Sequence, residues 1–154
     1  PLDVHKPIEH AVTRVQSELG HENLKIHLSS DESDLKINGD AASLEDCVYH
    51  LLMNAAENMA DAPGSRINVT VKGHAFEKGG GNVYVMIADN GSGMDESLRD
   101  NVFSPFSTTK ARGLGLGLPI AKRAVIDHNG QIDIETSAGG TTISIIFPAW
   151  EDKS

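Results

Sequence analysis

Apolar positions recur with helical spacing near the start of the chain, where Val4, Ile8, Val12, Val15 and Leu19 predict an amphipathic helix over residues 3–19. Two brief alternations follow, LKIHL at 24–28 and LKI at 35–37, and read as short strands. Gly39 and Asp40 form a turn, with Asp40 or Ser43 available to cap the next helix, over about 44–60. Its apolar stripe is Leu44, Val48, Leu51, Leu52, Ala55 and Met59, and Ala62-Pro63-Gly64 ends it. RINVTVK at 66–72 alternates with period two and predicts a half-buried strand, with Ile67, Val69 and Val71 inward. FEKGGGN at 76–82 reads as a hairpin connection, and VYVMIA at 83–88, apolar on both faces, as a central strand. Residues 95–101 can form one or two helical turns. A helix is expected over 118–127, stopped by Asn129-Gly130, and then a hairpin of 131–136 and 141–147 around Ala138-Gly139-Gly140. These elements make a two-layer α/β (α+β) sandwich: a mixed sheet of five to six strands with about three helices on one face.

Composition narrows the picture. The 154 residues suit a single domain, and 39% hydrophobic with 23% charged residues describes an ordinary soluble globular chain. No apolar run is long enough for a bilayer, and the chain does not open with a signal-peptide pattern. The start at Pro1, without Met, suggests a fragment of a longer protein. Thirteen Lys and Arg against 22 Asp and Glu give a net charge of −9, which argues against a nucleic-acid or anionic-membrane surface. A single cysteine excludes an internal disulfide and suits a reducing, cytoplasmic compartment; Cys47 falls in the apolar helical pattern and reads as core.

Three segments carry candidate chemistry. The first is STTKARGLGLGLPI at 107–120. A P-loop needs its lysine after the glycines, whereas Lys110 precedes them, and the G-x-G-x-x-G frames that start at Gly113, Gly115 and Gly91 end on Leu118, Ile120 and Glu96. What remains is a glycine run entering a helix whose first turn holds Pro119. Bare amides at a helix N-terminus form an anion site, supplemented by Lys110, Arg112, Thr108 and Thr109. The plainer reading is a flexible loop with packing leucines. The second segment is DNGSG at 89–93, where Asp89 ends the central strand and can accept a hydrogen bond from an exocyclic amine such as that of adenine; the plainer reading is a turn. The third is HLLMNAAEN at 50–58, where His50, Asn54, Glu57 and Asn58 form a stripe beside the apolar one. An amide oxygen there suits Mg²⁺, which takes few protein ligands plus phosphates; the plainer reading is a solvated face.

Together and in this order, the segments resemble the ATP-binding catalytic domain of sensor histidine kinases, a Bergerat fold shared with gyrase, Hsp90 and MutL. HLLMNAAENM resembles the N box, DNGSGM the G1 box, VFSPFSTTK the F box and GLGLGLPIAKRAV the G2 box; DHNGQI and GGTTISIIFP fit the closing strands. The resemblance spans residues 3–148 and favours the nitrogen-regulator-like branch. It implies a protein histidine kinase that binds ATP and Mg²⁺, with Asn54 at the metal and Asp89 at the adenine. Gly91, Gly93, Asn58, Thr108, Thr109, Lys110, Gly113, Leu114, Gly115, Leu116, Gly117, Leu118 and Thr142 are implied at the nucleotide. Asn54 and Lys110 are the implied catalytic residues; His50 joins this catalytic set through the helical face it shares with Asn54, from which it can reach the phosphates or metal, the plainer reading being that it packs beside the nucleotide.

The implied partners are the protein's own dimerisation domain, which carries the acceptor histidine in a homodimer, and a response regulator; nucleic acid and direct membrane contact are not expected. Two departures stand out. His50 occupies a place where the family often has Asn, and the glutamate of the wider group's hydrolases is missing there. No H-[DE]-x-x-x-P acceptor segment is present, so His5 is read as part of the start of the first helix. A serine kinase of the anti-sigma-factor type and a nucleotide-sensing module without catalysis are the competing readings. The 104–116 lid is expected to be the most mobile region without nucleotide.

Overall fold

A computed structural model describes residues 1–19, 24–30, 35–57, 64–75, 77–91, 117–137 and 140–151. In chain order the elements are β1 (Leu2–Asp3), α1 (His5–Leu19), β2 (Lys25–Ser30), β3 (Lys36–Ile37), α2 (Ala41–Glu57), β4 (Arg66–Ala75), β5 (Gly81–Asp89), α3 (Gly117–Asp127), β6 (Gln131–Ser137) and β7 (Gly140–Pro148). The expected turns at 95–101, the glycine run up to Leu116 and the 104–116 lid lie outside the described residues.

The main sheet has five strands in the order β2-β4-β5-β7-β6. Only β2 and β4 run parallel; the other neighbours are antiparallel. β5 is thus central, as its continuous apolar run implies. The second brief alternation does not join this sheet. Instead β3 pairs with β1, Leu2 opposite Ile37, in a two-stranded ribbon. The first helix accordingly starts at His5, two residues later than its periodicity suggests. Asp3 is the reason: its carboxylate accepts from the His5 amide at 3.0 Å and meets His5 Nδ1 at 2.8 Å. His5 therefore opens the helix, and its Nε2 lies 2.8 Å from the Ser30 hydroxyl.

One core joins the layers. From the helices it takes Ile8, Val15, Leu44, Val48, Leu51, Leu52, Ala121 and Val125, and from the sheet Ile67, Val69, Val71, Val85, Ile87, Ile145 and Phe147. Fully burying each Val, Leu, Ile or Phe contributes about 1.5–3 kcal/mol. The strand residues between these, such as Thr70, Tyr84, Met86, Thr142 and Ser144, project to the opposite face, which no described helix covers. Among the described residues, no helix is long and apolar enough to cross a membrane.

Candidate nucleotide site

The capping residue of α2 is Asp40. Its Oδ2 accepts from the Ser43 amide at 2.9 Å and its carbonyl from Leu44 at 3.0 Å. From that start, a helical turn of 3.6 residues sets His50 and Asn54 one above the other, at the edge of the buried stripe. Both are half-buried. Burial is the main cause that lowers the His50 pKa from its ordinary value; the Asp46 charge opposes it and the Arg14 charge adds to it. Arg14 is itself held, 2.8 Å from Asp46 and over the Tyr49 ring, whose hydroxyl donates to Glu18. The α1 side of α2 is therefore a knit polar seam, whose Tyr49 ring meets the His50 ring edge-on with centroids 5.3 Å apart, while Asn54, seven residues after Cys47, shares the helix face that meets α3.

α3 runs antiparallel to α2. The Cys47 thiol faces the Ala121 carbonyl at 3.5 Å, and His128, just past α3, reaches the Asp40 amide at 3.1 Å. Going back four residues from Ala121 to Gly117 and forward four from Cys47 to Leu51 covers about 6 Å along each axis. The N-terminus of α3 is therefore level with the middle of α2, within a turn of His50 and Asn54. Pro119 stands in the first turn of α3, where the missing N–H costs nothing. The helix N-terminus is thus an electropositive end placed beside a polar stripe. Burial pushes the Cys47 thiol up to about 12, so the cysteine is a core residue and not a nucleophile.

Asp89 is fixed differently. It ends β5 between two neighbours, opposite Ile67 of β4 and next to the start of β7. Its Oδ1 accepts from the Gly91 amide at 3.0 Å and from the Thr141 amide at 3.2 Å. Two amide donors stabilise the ionised form and set the carboxylate plane. The next residue, Asn90, locks the turn, since its Oδ1 accepts from the Arg66 amide and its Nδ2 donates to the Gly64 carbonyl. Gly140 closes the site from below. Its φ is +136°, and a Cβ there would overlap the Asp89 carbonyl oxygen.

Of the residues the sequence singles out, His50 and Asn54 stand in the second half of α2, Gly117 and Leu118 open α3 at about the same level, and Asp89 and Gly91 lie at the tip of the central strand. Thr142 goes elsewhere. It pairs with Ala88 and shares the uncovered face of the sheet. Thr141 has the opposite parity, is buried, and gives its amide to Asp89. Sequence reading missed it, although strand alternation from the buried Ile143 and Ile145 carries the signal. Asn58, Gly93, Thr108, Thr109, Lys110, Gly113, Leu114, Gly115 and Leu116 lie outside the described residues. Among the described residues no group of three or more His, Cys, Asp or Glu forms a metal cage. Among the described residues this α2 stripe offers the His50 imidazole, the Asn54 amide and the exposed Glu57 carboxylate, which fits a cation that takes most of its ligands from phosphate and water.

The family of histidine kinase-, DNA gyrase B- and HSP90-like ATPases matches residues 39–151. The chain is 32% identical over 145 residues to the C4-dicarboxylate transport sensor protein DctB of Rhizobium meliloti (strain 1021), covering 94% of this chain and 22% of that protein. It is 29% identical over 163 residues to the sensory histidine kinase/phosphatase NtrB of Rhizobium leguminosarum bv. phaseoli, covering 100% of this chain and 42% of that one. The chain thus spans less than half the length of these relatives. Among solved structures, the mycobacterial sensor histidine kinase MprB superposes with a TM-score of 0.78 at 26% identity, over 98% of this chain and 97% of that one. The nucleotide-free catalytic domain of the histidine kinase ThkA gives a TM-score of 0.81 at 25% identity, over 96% and 93%. The family match, the sensor-kinase relatives and the shared mixed-sheet fold thus agree, and the chain belongs to the histidine kinase-, DNA gyrase B- and HSP90-like ATPase family, in the form of an ATP-binding catalytic domain of the sensor histidine kinase type.

Proposed function

We propose that this domain holds Mg²⁺-ATP and passes the γ-phosphoryl group to a histidine on the dimerisation domain of its own homodimeric protein, for relay to a response regulator. The observation that carries the reading is the Asp89 carboxylate, held at the tip of the central strand by the Gly91 and Thr141 amides. A carboxylate only accepts, so it pairs with the adenine amino group and is mismatched to the guanine carbonyl. Asn54 gives its amide oxygen to the cation, and His50, neutral because burial disfavours its charged form, packs one turn away beside the phosphates. Lys110 with the amides of Gly113, Gly115 and Gly117 steadies the terminal phosphates, and the α3 dipole adds to this.

A bound magnesium ion would supply charge neutralisation of the phosphates. The chain's residues do the rest by positioning: phosphoryl transfer needs the acceptor nitrogen in line with the leaving oxygen. The N–P bond forms as the bond from phosphorus to the ADP oxygen breaks. NtrB among the relatives supports the nitrogen-regulator-like branch.

The test is transfer of labelled phosphate from ATP to a histidine-bearing dimerisation domain. Acid-labile, base-stable label on that domain is expected. Label only on a serine-bearing acceptor would favour the serine-kinase reading, and nucleotide binding without transfer to any acceptor would favour a sensing module.

A further inference from the structure

His128 stands at the end of α3 remote from the glycine run, and its ring is held on three sides. Nδ1 lies 2.7 Å from the Ala124 carbonyl, which can only accept, so Nδ1 carries the proton. Nε2 is then the acceptor for the Asp40 amide at 3.1 Å. The ring meets Phe147 edge to face, with centroids 6.0 Å apart. Position 39 is glycine where a Cβ would overlap the His128 ring.

The bond to Asp40 has a specific meaning. Asp40 is the N-cap of α2, and its own amide is a donor that a capping box satisfies with Glu or Gln at the third helical position. That position here is Ser43, whose amide bonds the Asp40 carboxylate. The N-cap amide is taken instead by a side chain from the neighbouring helix. His128 therefore closes the cap of α2 from α3, and only in its neutral, Nδ1-protonated form.

α3 is 11 residues long, or about 16 Å. Its middle is tied to α2 by the Cys47 thiol, a weak donor, and its far end by His128. We propose that His128 is a positioning residue for nucleotide binding: the clasp fixes the register of α3 along α2, and so where the α3 N-terminus presents its amides relative to Asn54. This rests on the reading that phosphates sit at that N-terminus.

Two substitutions separate the two bonds. His128→Gln puts an acceptor oxygen near the Nε2 position and keeps the bond between helices. His128→Asn keeps a donor near Nδ1 and the bond within α3, but loses the clasp. Calorimetric titration with Mg²⁺-ADP, thermal unfolding of each variant and the nitrogen-15 tautomer signature of His128 in the wild-type domain form one experiment. Expected are the Nδ1–H tautomer, wild-type-like affinity for His128→Gln, and affinity weaker by about fivefold for His128→Asn. Lower melting temperatures with wild-type affinity in both variants would reduce His128 to a stability role and overturn the proposal. An Nε2–H tautomer would overturn it without any variant. A wild-type domain that fails to bind Mg²⁺-ADP would sink the nucleotide reading itself, and the proposal with it.

Discussion

Two parts of the candidate site are built by opposite means. Asp89 sits at a strand tip, and its carboxylate is held by an amide two residues on and another 52 residues on. His50 and Asn54 sit on one helix, where a cap at Asp40 and the helical repeat fix their relative places. The strand tip depends on long-range pairing and tolerates almost no freedom: Gly140 is pressed against the Asp89 carbonyl. The helical stripe depends on local geometry and is half open. A rigid end suits recognition of a flat purine, and a more adaptable end suits a hydrated cation and its phosphates.

The largest expected effect breaks the rigid end. Gly140→Val introduces a side chain at φ +136° and an overlap with backbone. It should cost about 3 kcal/mol or more of stability, read by urea unfolding. An equal midpoint for wild type and variant would mean that the strand tip adapts. Asn54→Ala addresses the adaptable end. It should leave the fold intact, weaken Mg²⁺-ADP binding by about tenfold, and abolish the difference between titrations with and without Mg²⁺. A surviving magnesium dependence would remove Asn54 from the cation.

A smaller effect sharpens the contrast through pH. The His50 pKa is lowered in the folded state, so the unfolded chain binds more protons as pH falls through about 6.5, and stability drops there. His50→Asn should flatten that part of the stability profile, by a small amount because the ring is half exposed to screening solvent. The Asp3 pKa is also lowered, chiefly by the His5 amide. Its contribution is present above about 3.9 and is lost as pH falls through its lower folded value, so that acid limb should persist in the variant. Loss of both limbs together would assign the upper one to another group. The least change is expected at Cys47: at neutral pH a thiol reagent should label it only as fast as the core opens, measured by mass spectrometry.

The same contrast explains what could be read from the residues. The α2 stripe was legible because helical neighbours are set by spacing within a dozen residues, and Leu44, Val48, Leu51, Leu52 and Ala55 are all buried. β5 was legible as the central strand from its unbroken apolar run. The partner of Asp89 was legible only in part: alternation from Ile143 and Ile145 gives Thr141 the buried parity, but that its amide meets Asp89 depends on the register between β5 and β7. A shift of one residue swaps the two faces. The alternation at 35–37 gave the strand β3 but not its partner: the two residues of β1 carry no periodicity, and the pairing of Leu2 with Ile37 joins segments 35 residues apart. The His128 clasp was invisible as well, since a lone histidine after a helix gives no hint that it completes the cap of another one.

The central claim is that Asp89 selects adenine, and the most direct measurement is a calorimetric titration of the wild-type domain and Asp89→Asn with Mg²⁺-ATP and Mg²⁺-GTP. The wild-type domain should bind ATP and discriminate against GTP. Asp89→Asn should lose at least about tenfold in ATP affinity, as expected for replacing a charged hydrogen-bond acceptor. ATP affinity unchanged by the substitution, with GTP excluded as before, would contradict the account.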